Sequence, residues 1–440
     1  MHILFLLASL LHAQSFPKNF KWCVATADHQ IEGNDIHSDW WDWEKLDGKI
    51  KNNEHSGLAT NHTKLYLKDI EIMKKLGIQT YRFSLSWSKI QPEQNKIDYT
   101  VLKNYQNFIE LLLKNNIEPM ITLHHFVNPQ WFQAKGGWEM PDAPEIFLKY
   151  LKIIYPYIGK KTTLWTTFNE PMVLIGGGYI QGLMPPGKSG FQFEKPLVNI
   201  LKTHAEIYQY LKAQARSEKR EISIGFAHHI RFFQAQNPDN FLEKMISEKV
   251  NEIFNWAILD ALANGRLKIS IPFLISIDQD LPQIKKTQDY IGINYYTREF
   301  LYFSFRDFQF RRHFHPTNPR SDLDWEIYPT GLRQSMDEMK KRFPKVPLFI
   351  TENGIADQTD KYRKKYIFEH LQVLQQAITQ GLDILGYCHW SLMDNYEWIE
   401  GFGPRFGLYE VDYKTFNRKG RPSADYFRQI IEKNELIPIE

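Results

Sequence analysis

Apolar positions along the chain keep two alternating rhythms. Short runs rich in β-branched and aromatic residues occur at 20–27, 78–87, 117–125, 162–169, 222–230, 289–296, 347–352 and 382–391. Between them lie longer segments whose apolar residues recur three or four positions apart. Tyr66, Ile70 and Met73 mark 63–76; Leu102, Tyr105, Ile109 and Leu112 mark 99–116; Ile367, Leu371, Leu374 and Ile378 mark 361–380. This spacing predicts helices with one apolar stripe, and the same reading places further helices at 143–158, 196–215, 239–264, 331–342 and 422–433. The short runs are apolar almost throughout, as strands are when both faces are covered.

Eight such strand–helix units predict a closed parallel (β/α)8 barrel, a TIM barrel, as a single domain over 16–440. A doubly wound open sheet competes, but it calls for a glycine-rich phosphate turn after an early strand. The run Gly176-Gly177-Gly178 follows the fourth strand instead and has no phosphate-binding lysine beside it. A barrel of this kind takes about 250 residues, so the surplus must sit in loops. The longest, 32–62, 126–143, 171–194 and 297–329, all follow strands and so decorate the C-terminal face, where barrel enzymes keep their sites.

Polar residues end seven of the eight predicted strands, the fifth being the exception. Gln30 follows strand one, Arg82 lies in strand two and His125 ends strand three. Asn169 and Glu170 end strand four, Asn294 and Tyr296 strand six, Glu352 strand seven, and Trp390 strand eight, with Glu397 and Trp398 just beyond. Any one of these is accounted for by packing or ion pairing. A convergent set on one face is costly unless a ligand uses it. Proline after Glu170 holds it extended where the strand emerges. Strands four and seven face each other across an eight-strand barrel, and two carboxyls about 5–5.5 Å apart suit double-displacement glycoside hydrolysis. The pair must titrate apart. Arg82 and the Tyr296 hydroxyl are expected to keep Glu352 ionised, while burial and a negative neighbour keep Glu170 protonated near neutral pH.

The motifs around these residues resemble those of family-one glycoside hydrolases, the β-glucosidase-like group. The similar stretches are Phe16-Pro17…Phe20-Lys21-Trp22, Ala25-Thr26…Gln30-Ile31-Glu32-Gly33, Tyr81-Arg82-Phe83-Ser84…Trp87-Ser88, Thr167-Phe168-Asn169-Glu170-Pro171, Gly292-Ile293-Asn294-Tyr295-Tyr296 and Ile350-Thr351-Glu352-Asn353-Gly354. Trp390-Ser391-Leu392…Asp394-Asn395-Tyr396-Glu397-Trp398 and Arg405-Phe406-Gly407-Leu408 complete the set. The resemblance covers residues 16 to about 430 and implies a retaining β-glycosidase acting on terminal β-D-glucosyl, galactosyl or fucosyl residues. It implies Glu170 as acid/base and Glu352 as nucleophile. It further implies that Gln30, His125, Asn169, Glu397 and Trp398 bond the glycone hydroxyls, with Trp390 as stacking platform and Trp325 at the aglycone. Cys23, Cys388 and His124-His125-Phe126 depart from the family pattern. The two cysteines fall on neighbouring strands one and eight, where they are expected to compensate in volume rather than to form a disulfide, since adjacent parallel strands rarely meet that geometry.

Composition narrows the rest. A net charge of +3 with interspersed signs excludes a nucleic-acid groove or a polybasic membrane patch, and 12 Trp, 22 Tyr and 30 Phe supply flat faces for sugars. The partners implied are small-molecule β-glycosides or oligosaccharides; no metal or other cofactor is required, and oligomeric state and aglycone stay open. The pairs His124-His125 and His228-His229 lack a further ligand at metal spacing. Glu397 would repel the phosphate of a 6-phosphoglycoside, and the presence of Glu170 argues against a thioglucosidase. A non-catalytic sugar-binding barrel would be expected to lose one glutamate. Residues 3–11 are an apolar run too short for the about 20 residues of a membrane span. They fit a signal peptide with cleavage after Ala13, implying secretion or a periplasmic site; an N-terminal extension on a cytoplasmic protein is the alternative. Asn61-His62-Thr63 is a glycosylation sequon, meaningful only on a eukaryotic secretory route.

Overall fold

A computed structural model describes residues 15–272, 274–304 and 318–439, together with the backbone of 309–313. The apolar run at 3–11 lies outside the described residues. All eight expected strands form, at Lys21–Ala25, Thr80–Ser84, Glu118–His124, Leu164–Asn169, Ser223–Ala235, Tyr290–Ser304, Leu348–Asn353 and Ile384–Trp390. Each pairs in parallel with the next, the eighth pairs with the first, and the ring is closed. Helices His62–Leu76, Tyr99–Lys114, Ala143–Ile158, Glu194–Ser217, Pro329–Arg342, Arg363–Thr379 and Pro422–Lys433 lie where the apolar stripes placed them. The second of these starts at Asp98, whose carboxylate accepts from the Thr100 and Val101 amides and so satisfies the free first turn. The predicted helix at 239–264 is interrupted by a π turn, Glu252–Trp256.

The interior splits in two. Cys23, Ala25, Met120, Leu164, Tyr290, Phe349 and Cys388 fill the barrel, while the helix stripes and the outward residues of the strands make the larger outer layer. Burying each large apolar side chain there contributes roughly 1.5–3 kcal/mol. The cysteine expectation fails. Cys23 and Cys388 are direct register partners on strands one and eight, their Cα atoms 4.1 Å apart, and they form a disulfide between positions 365 residues apart. Exact register is the reason: both side chains point into the barrel at one level, so no backbone has to move.

Two further departures lie outside the eight-strand ring. Strands five and six run past the rim, pairing from Phe232 with Arg298 to Ala235 with Leu301, and strand six then pairs antiparallel with the backbone of Gln309–His313. The stretch 297–329, expected to be loop, therefore begins as sheet. A separate hairpin, Arg266–Ile271 with Ile275–Asp280, precedes strand six.

Candidate active site

The barrel mouth ties six of the predicted residues, Arg82, Asn169, Glu170, Asn294, Tyr296 and Glu352, into one bonded group. Arg82 has no exposed surface; its Nη1 donates to Glu352 Oε1 at 2.5 Å and its Nη2 to Asn169 Oδ1 at 2.7 Å. The Tyr296 hydroxyl donates to Glu352 Oε2 at 2.6 Å, so each oxygen of Glu352 has its own donor. Thr351 donates to Asn294 Oδ1 at 2.6 Å, which fixes the Asn294 amide so that its Nδ2 reaches Asn169 Oδ1 at 3.0 Å and Glu170 Oε1 at 2.8 Å. Strands two, four, six and seven are thus tied together through these side chains. Gly354 lets strand seven end against strand eight, since a Cβ there would lie 1.8 Å from the Trp390 carbonyl oxygen.

Glu170 is not extended as the following proline led one to expect: it leaves strand four in a left-handed conformation, φ 44°, and opens the short helix Pro171–Ile175 with proline in its first turn. That backbone costs a non-glycine residue about 1 kcal/mol or more and aims the carboxyl across the mouth. Strand five, the one strand without an expected functional tip, supplies what the sequence reading missed. His229 Nδ1 lies 3.0 Å from Glu170 Oε1, and its ring stacks on Tyr296 at 5.9 Å. The paired histidines part company here: His124 bonds Asn128 at 3.0 Å, while His229 enters the site. The signal was a polar residue at the rim of a buried strand, set aside once metal spacing failed.

The two carboxyls interact. Burial, joined by the charge of Glu170, pushes Glu352 up to about 7 against the pull of Arg82 and Tyr296. Burial opposes the Glu170 charge too, but His229, Asn294 and Arg82 outweigh it, and its carboxyl lies below the usual range. This is the reverse of the expected order, and His229 is the physical reason. Between these ionisations the pair holds one proton. The state with that proton on Glu170 has the same net charge, and in it Arg82 and Tyr296 both donate to a full carboxylate.

The remaining residues form one wall. Gln30 Nε2 donates to Asn395 Oδ1 at 2.9 Å, to the Tyr396 carbonyl at 2.9 Å and to Glu397 Oε2 at 3.1 Å. Burial and the Glu352 charge push Glu397 up to about 8. His125 stacks between Trp390 and Trp398, at 6.0 and 5.9 Å, and burial with Arg82 holds it well below the usual histidine range. Beneath Trp398 lies His29, ring to ring at 5.8 Å; Glu44 at 2.6 Å and nearby Asp35 raise it to about 10 despite burial. Sequence reasoning did not single out His29. Trp325 stands opposite, 5.7 Å from Tyr296 and 6.2 Å from Phe406, under the Arg231 guanidinium at 5.2 Å.

A beta-glucosidase A of Acetivibrio thermocellus is 30% identical over 96% of this chain and 99% of its own. A beta-galactosidase of Pyrococcus woesei is 30% identical over 95% and 97%. The solved beta-glycosidase from Pyrococcus horikoshii superposes with a TM-score of 0.87 at 36% identity, covering 96% of each chain. The model for "Glycosyl hydrolase family 1" matches residues 12–436. The likeness first seen in the strand-end motifs therefore extends over nearly the whole chain, which belongs to glycosyl hydrolase family 1.

Proposed function

We propose that the protein is a retaining β-glucosidase that releases terminal β-D-glucosyl residues through a covalent glycosyl-enzyme intermediate. The observation that carries this reading is the pair of buried glutamates with separate donor sets. Glu352 is held at both oxygens by Arg82 and Tyr296. Glu170 takes both its contacts on Oε1, leaving Oε2 without a donor among the described residues. A carboxylate fixed at both oxygens is oriented to attack an anomeric carbon. A carboxyl with one oxygen free can protonate the departing oxygen. Once Glu352 is esterified its charge is gone, and Glu170 then takes the proton of the incoming water.

The sugar is oriented by the other wall. Gln30 and Glu397 meet the far hydroxyls, His125 and Asn169 the nearer ones, and Trp390 and Trp398 give the ring its faces. Trp325 meets the leaving group. The glucosidase among the relatives supports glucose as the glycone; the galactosidase supports galactose as a second.

The test is the Glu170→Ala variant with aryl β-glucosides carrying good leaving groups. Glycosylation of Glu352 should persist while deglycosylation stalls, giving a burst, and azide should restore turnover as the β-glycosyl azide. An α-azide, or no intermediate at all, would refute retention.

We also propose that the chain is exported and that residues 1–13 are removed. Support comes from the apolar run at 3–11 and from the Cys23–Cys388 bond, a linkage that persists in oxidising compartments. Cell fractionation with N-terminal sequencing tests this; an intact N-terminus in the cytoplasm would refute it.

A further inference from the structure

A second cavity lies outside the barrel mouth. It measures about 320 Å³ and sits between helices His62–Leu76 and Tyr99–Lys114 and the outer face of the first two strands. Aromatic rings make its walls: Phe108 stands edge-on to Tyr66 at 5.7 Å and to Phe83 at 5.3 Å. Exposed Thr63 and Asn104 border it, so the cavity opens to solvent.

Its floor is charged and incomplete. Asp28 is 3% exposed; Ser84 donates to its Oδ1 at 2.5 Å, and among the described residues no donor reaches Oδ2. The neighbouring acids are satisfied. Glu32 accepts from the Tyr105 hydroxyl at 2.6 Å and from Lys89 at 2.9 Å. Asp35 accepts from Ser86 at 3.1 Å and from Ser88 at 2.6 Å. A buried carboxyl normally has its lone pairs matched, and this one opens on a cavity instead. Burial with the charges of Glu32 and Asp35 pushes it up to about 7, a cost that an adjacent cation would remove. Ring faces also attract a cation.

We propose that this cavity binds a small organic ammonium ion, a primary amine on a short apolar body, with its nitrogen on Asp28 Oδ2 and its body against the rings. The volume is at the small end for a ligand pocket and suits such a molecule. Asp28 opens the five-residue helix Asp28–Glu32, whose middle residue, Gln30, bonds Glu397 in the glycone wall. Occupancy is therefore linked to the glycone site through one turn of helix, and the ligand acts as a modulator of KM rather than as a competitor.

Benzylammonium chloride, titrated calorimetrically against the whole protein, tests this, with benzyl alcohol as the neutral control. One equivalent should bind, the alcohol at least about tenfold more weakly, and binding should persist when a glycone-site inhibitor saturates the barrel. Asn104→Trp fills the mouth from an exposed position, and Asp28→Asn removes the charge; each should weaken binding at least about tenfold, while Asn104→Trp keeps the wild-type kcat. Competition with the inhibitor, undiminished binding to Asn104→Trp, equal binding of the alcohol, or no binding at millimolar amine would each overturn the proposal. The last result would leave a cavity that holds only water.

Discussion

The two walls of the active site are finished to different degrees. On the glycone side Gln30 Oε1 and His125 Nδ1 are buried with no partner among the described residues, and Glu397 is pushed up to about 8 for want of a counter-charge. On the aglycone side the charged groups pair with one another, and among the described residues Arg231 Nε is left buried without a partner. Arg298 forks onto both oxygens of Glu326 at 2.9 Å and lies 3.7 Å over the Tyr328 ring, and Arg231 bonds Glu299 at 2.5 Å. A wall with unmet bonds is completed by its ligand and rejects any ligand that fails to meet them, because an unpaired buried group costs about 1–3 kcal/mol. A wall whose charges are mostly paired with one another offers chiefly shape and ring faces, and discriminates weakly. On the proposed function, the sugar is expected to be read strictly and the leaving group loosely.

The largest effect should come from the residue between the walls. Glu352→Gln is expected to lower kcat by at least about a thousandfold, since an amide does not attack the anomeric carbon. Stopped assays on the purified variant, checked against a contaminating wild-type enzyme, measure this; a residual rate of several per cent would remove the nucleophile from strand seven.

Next comes the unfinished wall. Glu397 accepts from Gln30 and should accept from the far glycone hydroxyls, some of that strength arising only as the ring distorts. Glu397→Ser should lower kcat/KM for β-glucosides by about a hundredfold, with much of the loss in kcat. Discrimination against 6-phosphoglucosides should fall in the same variant, since the carboxyl that repels phosphate is gone. An unchanged ratio of the two specificity constants would show that Glu397 does not face the glycone.

This difference between the walls also decided what the sequence made legible. Glycone residues sit at strand tips inside local motifs, so Asn169-Glu170-Pro171 and Glu352-Asn353-Gly354 could be placed from their own few neighbours. The aglycone wall arises from strands five and six overrunning the barrel, and nothing at 297–304 announces where a buried strand stops being barrel. The hairpin at 266–280 did carry a signal: Leu267, Ile269 and Ile277 alternate with polar residues, but the count of eight buried strands gave it no place. The partner of His229 and the Cys23–Cys388 bond were hidden for a common reason. Both depend on side-chain register between neighbouring strands, which hydrophobic spacing along one strand does not contain.

A smaller effect sharpens the comparison from the loose side. Trp325 meets Tyr296, Phe406 and Arg231 through its ring, and Trp325→Ala should raise KM for aryl β-glucosides about tenfold. The glucoside-to-galactoside ratio should move by less than about threefold, because no glycone bond is touched. A large change in that ratio would mean that the walls are not separable.

The smallest expected effect concerns His229 and is read from pH rather than from rate. The proposed mechanism requires one proton on the Glu170–Glu352 pair, so kcat/KM should follow a bell. Below the lowered ionisation both carboxyls are protonated and no nucleophile remains; above about 7 both are ionised and no acid remains. His229 stabilises the charge on Glu170 through the 3.0 Å contact at Oε1. In His229→Ala that charge is less favoured both in the singly protonated pair and in the fully ionised one. The singly protonated pair can respond by moving its proton onto Glu170, whereas the fully ionised pair has no such escape, so the second proton is lost at higher pH. The first is also lost later, because it must leave one of the same two carboxyls. Both limbs of the bell should therefore shift to higher pH, while the rate at the optimum changes by less than about tenfold, since Asn294 still orients Glu170. A residue that merely packs beside Tyr296 would lower the bell without displacing it. Profiles of kcat/KM for parent and variant, fitted with two ionisations, decide between these outcomes; limbs that stay in place would leave His229 as packing, and the reversed order of the two glutamates in the free site would then need another cause.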